Sequence, residues 1–153
     1  MEHEVFCRGE SMRPLFQPGD RICFEPCRIE DLRRGDVIIF KAPGQEERVV
    51  HRVVATDTAR IRTRGDANLS RDAWEIRQDD IVGRVVSLER GGRVRPVAGG
   101  FPGRLLSAYI HAFRKADHLA SHVLHPCYRI MVRSGLVRTL LPPALRPRVI
   151  MFE

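Results

Sequence analysis

The chain has 153 residues, with 26 Lys+Arg against 19 Asp+Glu and a formal net charge of +7. That length suits one domain with an appendage, and an apolar fraction of 43% beside a charged fraction of 29% excludes a collagen-like, low-complexity or wholly disordered chain. The surplus charge is uneven: residues 1–97 carry a net +1 and residues 98–153 a net +6, and Lys41 and Lys115 are the only lysines among the cations.

From Val5 to Val97 short Val/Ile-rich runs alternate with Gly, Pro and Asp clusters, and the pattern predicts strands over Glu4–Cys7, Asp20–Phe24, Asp36–Lys41, Arg48–Ala55, Ala59–Thr63, Ile81–Leu88 and Val94–Val97. Helical turns are expected after Ser11 and near Glu30–Arg33. Seven short strands in this length predict a mainly β fold, a compact barrel or sandwich spanning residues 1–97. Past Gly99-Gly100 the period changes to three and four, so Arg104 to His125 reads as an amphipathic helix and Tyr128 to Leu141 as a second one, stopped by Pro142-Pro143. Residues 98–153 therefore form a basic helical extension. The four cysteines lack metal-ligand spacing and are expected as small buried hydrophobes.

Chemistry concentrates in the β region. A serine peptidase needs a hydroxyl held outside regular structure, a base within reach of it, and donors for the oxyanion. Ser11, between Gly9 and Pro14 in Gly-Glu-Ser-Met-Arg-Pro, has such a setting, and its own backbone N–H is a natural oxyanion donor. In Val49-Val50-His51-Arg52-Val53-Val54 a period of two puts His51 on one face with Val49 and Val53, and Arg52 on the other with Val50 and Val54. An imidazole is suited to proton transfer near neutral pH, whereas arginine does not release its proton. A histidine base works best with a carboxylate fixing its tautomer, and Asp66 (in Arg64-Gly65-Asp66-Ala67-Asn68) and Asp72 are both available. Asp20 and Asp36, each after a glycine at a strand start, read as turn-closing residues, and Arg52 is expected to pair with one of these two acids.

Taken in order, these blocks, together with Gly35-Asp36-Val37-Ile38-Ile39-Phe40 and Ile81-Val82-Gly83-Arg84-Val85, resemble the signal peptidase I family, whose fold also houses the self-cleaving domains of SOS-type repressors. The resemblance spans roughly residues 6–88. It implies a serine endopeptidase that cleaves a leader or precursor peptide after small residues, with no metal or cofactor. Where the bacterial branch of the family has a lysine base, this chain has His51, which resembles the endoplasmic-reticulum and archaeal branch with its Ser, His and Asp. By that likeness Asp72 orients His51 and Asp66 supports the structure. Ala67 and Arg71 depart from the residues usual at their places in that block.

Family members normally carry a transmembrane helix before the serine. Here ten residues precede Ser11 and read as the first strand, and no stretch reaches the roughly 20 apolar residues of a spanning helix. With no secretory signal at its start either, the chain is expected in the cytoplasm or peripherally on a membrane, with residues 104–141 facing an anionic membrane surface or packing on the barrel. The competing functional readings are a non-catalytic membrane- or peptide-binding module and a self-cleaving regulator of the repressor kind. Nucleic acid is a disfavoured partner, since aromatics total only 7% and no nucleic-acid motif occurs.

Overall fold

The computed structural model describes residues 3–45, 47–57, 59–124, 126, 127, 129 and 130. The chain divides into two compact units, Met1–Arg114 and Lys115–Glu153. The first holds seven strands: β1 (His3–Phe6), β2 (Arg21–Glu25), β3 (Val37–Lys41), β4 (Arg48–Thr56), β5 (Ile61–Arg64), β6 (Ile81–Arg90) and β7 (Arg93–Pro96). All join one antiparallel sheet in the order β1-β2-β6-β3-β4-β5, with β7 also on β6. The fold is mainly β with a C-terminal helix, and the sheet is open, its hydrogen-bonded path running from β1 to β5.

β6 reaches ten residues because it serves three neighbours. Its first half pairs with β3 (Ile38 opposite Arg84, Ile39 opposite Gly83), and its last residues pair with β7, while β2 takes Arg84 to Glu89. β3 is buried on both faces, as expected of a central strand with a continuous apolar run. Alternation along it supplies both cores: Val37 and Ile39 join Met12, Phe16, Ile22, Phe24, Val85 and Leu88, while Ile38 and Phe40 join Leu32, Val53, Ile61 and Ile76. Each fully buried Ile or Phe contributes about 1.5–3 kcal/mol by leaving water. Val49 packs with the second core and Val50 with the first, so the two faces of β4 fall as its period of two requires.

The turn after Ser11 is a single helical turn, closed by the Phe16 N–H donating to the Met12 carbonyl at 3.1 Å. Short 3-10 turns occupy Ile29–Asp31 and Gln78–Asp80, the latter outside the sequence reading. The cysteines are all free; Cys23 is buried and Cys7 and Cys27 are half-buried, but Cys127 is exposed, contrary to expectation.

The helix α1 spans Gly100–Leu119 and continues as a π turn over Ala120–Leu124, so it starts four residues earlier than the sequence reading placed it. The reason is a cap supplied from far along the chain: Asp36 Oδ1 accepts the Gly100 N–H at 2.6 Å, and Pro102 suits the first turn. Glycine is required opposite. Gly35 has φ +105°, and a Cβ there would overlap the Gly100 carbonyl. The second expected helix, Tyr128 to Leu141, lies almost entirely outside the described residues. Within the second unit the His118 and His122 rings lie 4.2 Å apart, edge to face. Among the described residues no helix is long and apolar enough to cross a membrane.

Gly35 and Gly44 separate backbone strain from crowding. Both have positive φ, but nothing approaches a Cβ built at Gly44. Gly44→Ala should cost about 1 kcal/mol in urea unfolding from strain alone. Gly35→Ala, which adds the collision with the start of α1, should cost at least about 3 kcal/mol.

Candidate active site

Ser11, His51 and Asp72 come together from three separate segments. His51 lies on β4 opposite Ile38, on the face of the second core, and its ring meets Phe40 edge to face at 6.2 Å. Thr63 of β5 pairs with Val53 and so shares that face. Just beyond β5 the chain turns back and the Asp72 N–H donates to the Thr63 carbonyl at 3.0 Å, which brings the Asp72 carboxylate over His51. Ser11 reaches the same ring from the turn between β1 and β2.

The resulting chain of contacts is short. His51 Nε2 lies 2.9 Å from Ser11 Oγ, and His51 Nδ1 lies 2.6 Å from Asp72 Oδ2. His51 is 6% exposed, enough burial to shield these bonds from water while Ser11 stays half-exposed. Burial pushes the Asp72 carboxyl up. The hydrogen bonds from His51 and Thr63, with the charges of His51 and Arg64, outweigh that, so it is held below the ordinary carboxylate value and stays ionised at neutral pH.

Asp66 does not touch His51. Its two oxygens accept from Arg52 Nε at 2.9 Å and Nη2 at 2.7 Å, a bidentate pair in which both side chains are almost fully buried. The expectation that Arg52 pairs with Asp20 or Asp36 is therefore corrected. Asp20 closes its turn on the Gln17 N–H and takes Arg90, while Asp36 accepts from the Arg33 and Gly100 N–H groups. Both carboxylates are spent in turn and cap geometry at the sheet ends, and the acid that follows Gly65 is the one facing Arg52. The rest of the guanidinium is also used: Arg52 Nη1 donates to the Gly35 carbonyl at 2.7 Å and the Ala98 carbonyl at 3.1 Å.

This pair bears on the serine through the backbone around Asp66. The Ala67 N–H donates to the Ser11 carbonyl at 2.8 Å, and the Asp66 N–H contacts Met12 Sδ at 3.4 Å. Gly65 has to be glycine, because a Cβ there would lie 2.5 Å from the Ser11 carbonyl oxygen and 3.0 Å from His51 Nε2. The segment 65–67 thus forms a seat for the Ser11 turn, and Arg52 fixes the seat.

Thr63 escaped sequence reading. Fully buried, it donates its hydroxyl to Asp72 Oδ2 at 2.6 Å, the same oxygen that His51 uses. A threonine in a β strand is ordinary, and only the return of Asp72 onto β5 gives its hydroxyl a purpose. No group of three or more metal-binding side chains occurs among the described residues.

With this geometry in place, the comparisons with known proteins are specific. The family model described as "Signal peptidase, peptidase S26" matches residues 2–87, more than half the chain. The chain belongs to the signal peptidase family. Among curated proteins it is 34% identical over 89 residues to the signal peptidase complex catalytic subunit sec11 of Pyrenophora tritici-repentis, covering 50% of this chain and 51% of that protein. It is 32% identical over 87 residues to the signal peptidase complex catalytic subunit SEC11C of Homo sapiens, covering 48% and 45%. The chain spans about half the length of the curated relatives it matches. No solved structure matches it significantly.

The buried pair can be tested by stability. Arg52→Ala leaves the Asp66 carboxylate buried without its partner and should cost about 3–5 kcal/mol in urea unfolding. Replacing both groups together, Arg52→Met with Asp66→Leu, should recover roughly half of that loss, because no buried charge remains.

Proposed function

We propose that the chain is a serine endopeptidase of the signal peptidase type, cleaving a leader or precursor peptide with Ser11 as nucleophile, His51 as general base and Asp72 as the orienting acid. The observation that carries this reading is the unbroken hydrogen-bonded chain from Ser11 Oγ through His51 to Asp72. Family membership and the printed names of the relatives, catalytic subunits of a signal peptidase complex, point to the same class of substrate.

Each contact supports one step. The Asp72 carboxylate, held ionised, accepts from Nδ1 and so leaves the Nε2 lone pair toward Ser11 Oγ. As Oγ attacks the peptide carbonyl, its proton passes to Nε2, and the imidazolium is stabilised by Asp72. That proton then goes to the departing amine, leaving an acyl ester on Ser11. Water attacks the ester, gives a proton to His51, and the returning proton restores the hydroxyl. Ser11 lies at a groove of about 680 Å³ lined largely by apolar side chains, among them Val5, Phe6, Ile39 and Val50. Such a groove suits an extended peptide with small or apolar side chains. Asp66 acts in this scheme by holding the Ser11 seat.

We infer as well that the helical extension keeps the peptidase at a membrane surface. Support comes from α1, where Phe101, Leu105, Tyr109 and Phe113 recur every four residues and are all more than half exposed, while Gly103, Ser107 and Ile110 are buried. The apolar row points away from the sheet.

The catalytic reading is tested with a fluorogenic peptide bearing small residues before the cleaved bond. Ser11→Ala should lower kcat/KM by at least about a thousandfold, and Asp72→Asn by about 10³–10⁴ with the fold intact. Retained cleavage in Ser11→Ala would overturn the assignment.

A further inference from the structure

Beside the first turns of α1 lies a cavity of about 230 Å³ lined by Arg34, Arg64, Arg71 and Arg104, with the already paired Arg52 behind them. No acidic side chain lines it. Among the described residues none of these four arginines makes a salt bridge, although seven other arginines do. The two acids whose charges act on Arg64 are committed elsewhere, Asp66 to Arg52 and Asp72 to His51. Arg64 is half-buried, and its one polar contact is a 3.5 Å approach to Ser107 Oγ. Burial pushes its guanidinium down, the charge of Arg71 acts the same way, and Asp66 and Asp72 oppose them. Four cations crowded around a cavity with nothing of opposite sign in it form a site that an anion would complete.

The place of the cavity says which anion. Arg104 and Ala108 of α1 line it, and the Arg104 guanidinium lies over the ring of Phe101, the first member of the exposed row, 5.7 Å from its centroid. An anion held there is therefore next to an outward apolar surface. We propose that this arginine cavity binds the phosphate of an anionic phospholipid headgroup, with the acyl chains against the apolar row of α1. Arginine suits phosphate oxygens because its planar fork offers paired donors, and a cationic site beside an apolar helix face is the arrangement of an interfacial helix on anionic lipid. This inference rests on the membrane reading above and is independent of the peptidase chemistry. It gives the arginine-rich composition of the chain a local purpose that the catalytic groups do not.

Co-sedimentation of the full chain with two kinds of vesicle tests it, one of phosphatidylcholine alone and one containing phosphatidylglycerol. The wild type should favour the anionic vesicles and lose that preference as salt rises. The exposed pair Arg34→Gln with Arg104→Gln should weaken anionic-vesicle binding roughly tenfold. Tyr109→Ser with Phe113→Ser should weaken binding to both vesicle types. Thermal melting confirms that each variant is folded, and competition by glycerol phosphate on the wild type gives a readout that needs no variant. Equal binding to both vesicle types, unchanged in the arginine variant, would overturn the headgroup site and leave the membrane reading standing. No binding to either vesicle would overturn both. Calorimetric binding of inorganic phosphate through these arginines without vesicle binding would assign the cavity to a soluble phosphate. Dimerisation through Tyr109 and Phe113, again without vesicle binding, would assign the apolar row to a second copy of the chain, and either result overturns the proposal.

Discussion

The ion pair between Arg52 and Asp66 is the contact on which the rest of the first unit depends. One guanidinium joins three pieces of chain that are distant in sequence: the acidic block after β5, the turn at Gly35, and the approach to α1 at Ala98. With both partners almost fully excluded from water, the pair is costly to break even though its net worth against an apolar replacement is small. Its value is positional. It sets where Gly65 and Ala67 lie, they hold the Ser11 carbonyl, and the residue beside Arg52 on the opposite face of β4 is His51. One strand thus contributes a structural cation to one side and an imidazole to the other. The alternation of a β strand divides scaffold from candidate site at adjacent residues.

The carboxylates show how surroundings assign roles. Asp66 and Asp72 are six residues apart in one short segment. Asp66 meets an arginine and becomes structural, while Asp72 meets a histidine and a threonine hydroxyl and becomes the ionised end of the hydrogen-bonded row that runs through His51 to Ser11. Asp20 and Asp36 are equally committed, to Arg90 and to backbone N–H groups. None of these four buried or half-buried acids is left without hydrogen-bond donors, as the cost of a lone buried charge requires.

Local patterning carried much of this in the sequence. The Val/Ile runs marked all seven strands to within two residues or so, because most carry an apolar run bounded by Gly, Pro or Asp, and the period of two assigned His51 and Arg52 to opposite faces of β4. What escaped was whatever depends on distant contact. Asp36 capping a helix 64 residues later made α1 begin at Gly100, where Gly99-Gly100 alone reads as a break. The partner of Arg52 and the hydroxyl of Thr63 were hidden for the same reason. For α1 the three-and-four spacing revealed an apolar face without its direction. The small residues Gly103 and Ser107 turn the opposite face inward, toward Arg52 and Arg64. Arginines spread from Arg34 to Arg104 likewise gave no sign in sequence that they share one cavity.

The central claim, that Ser11 is made nucleophilic by His51, is tested most directly by acylation with a serine-directed fluorophosphonate and location of the adduct by mass spectrometry. The arrangement of Ser11, His51 and Asp72 predicts stoichiometric labelling of Ser11 in the wild type and its loss in His51→Ala, with the fold retained. Labelling of a different serine, or equal labelling of Ser11 without His51, would contradict it.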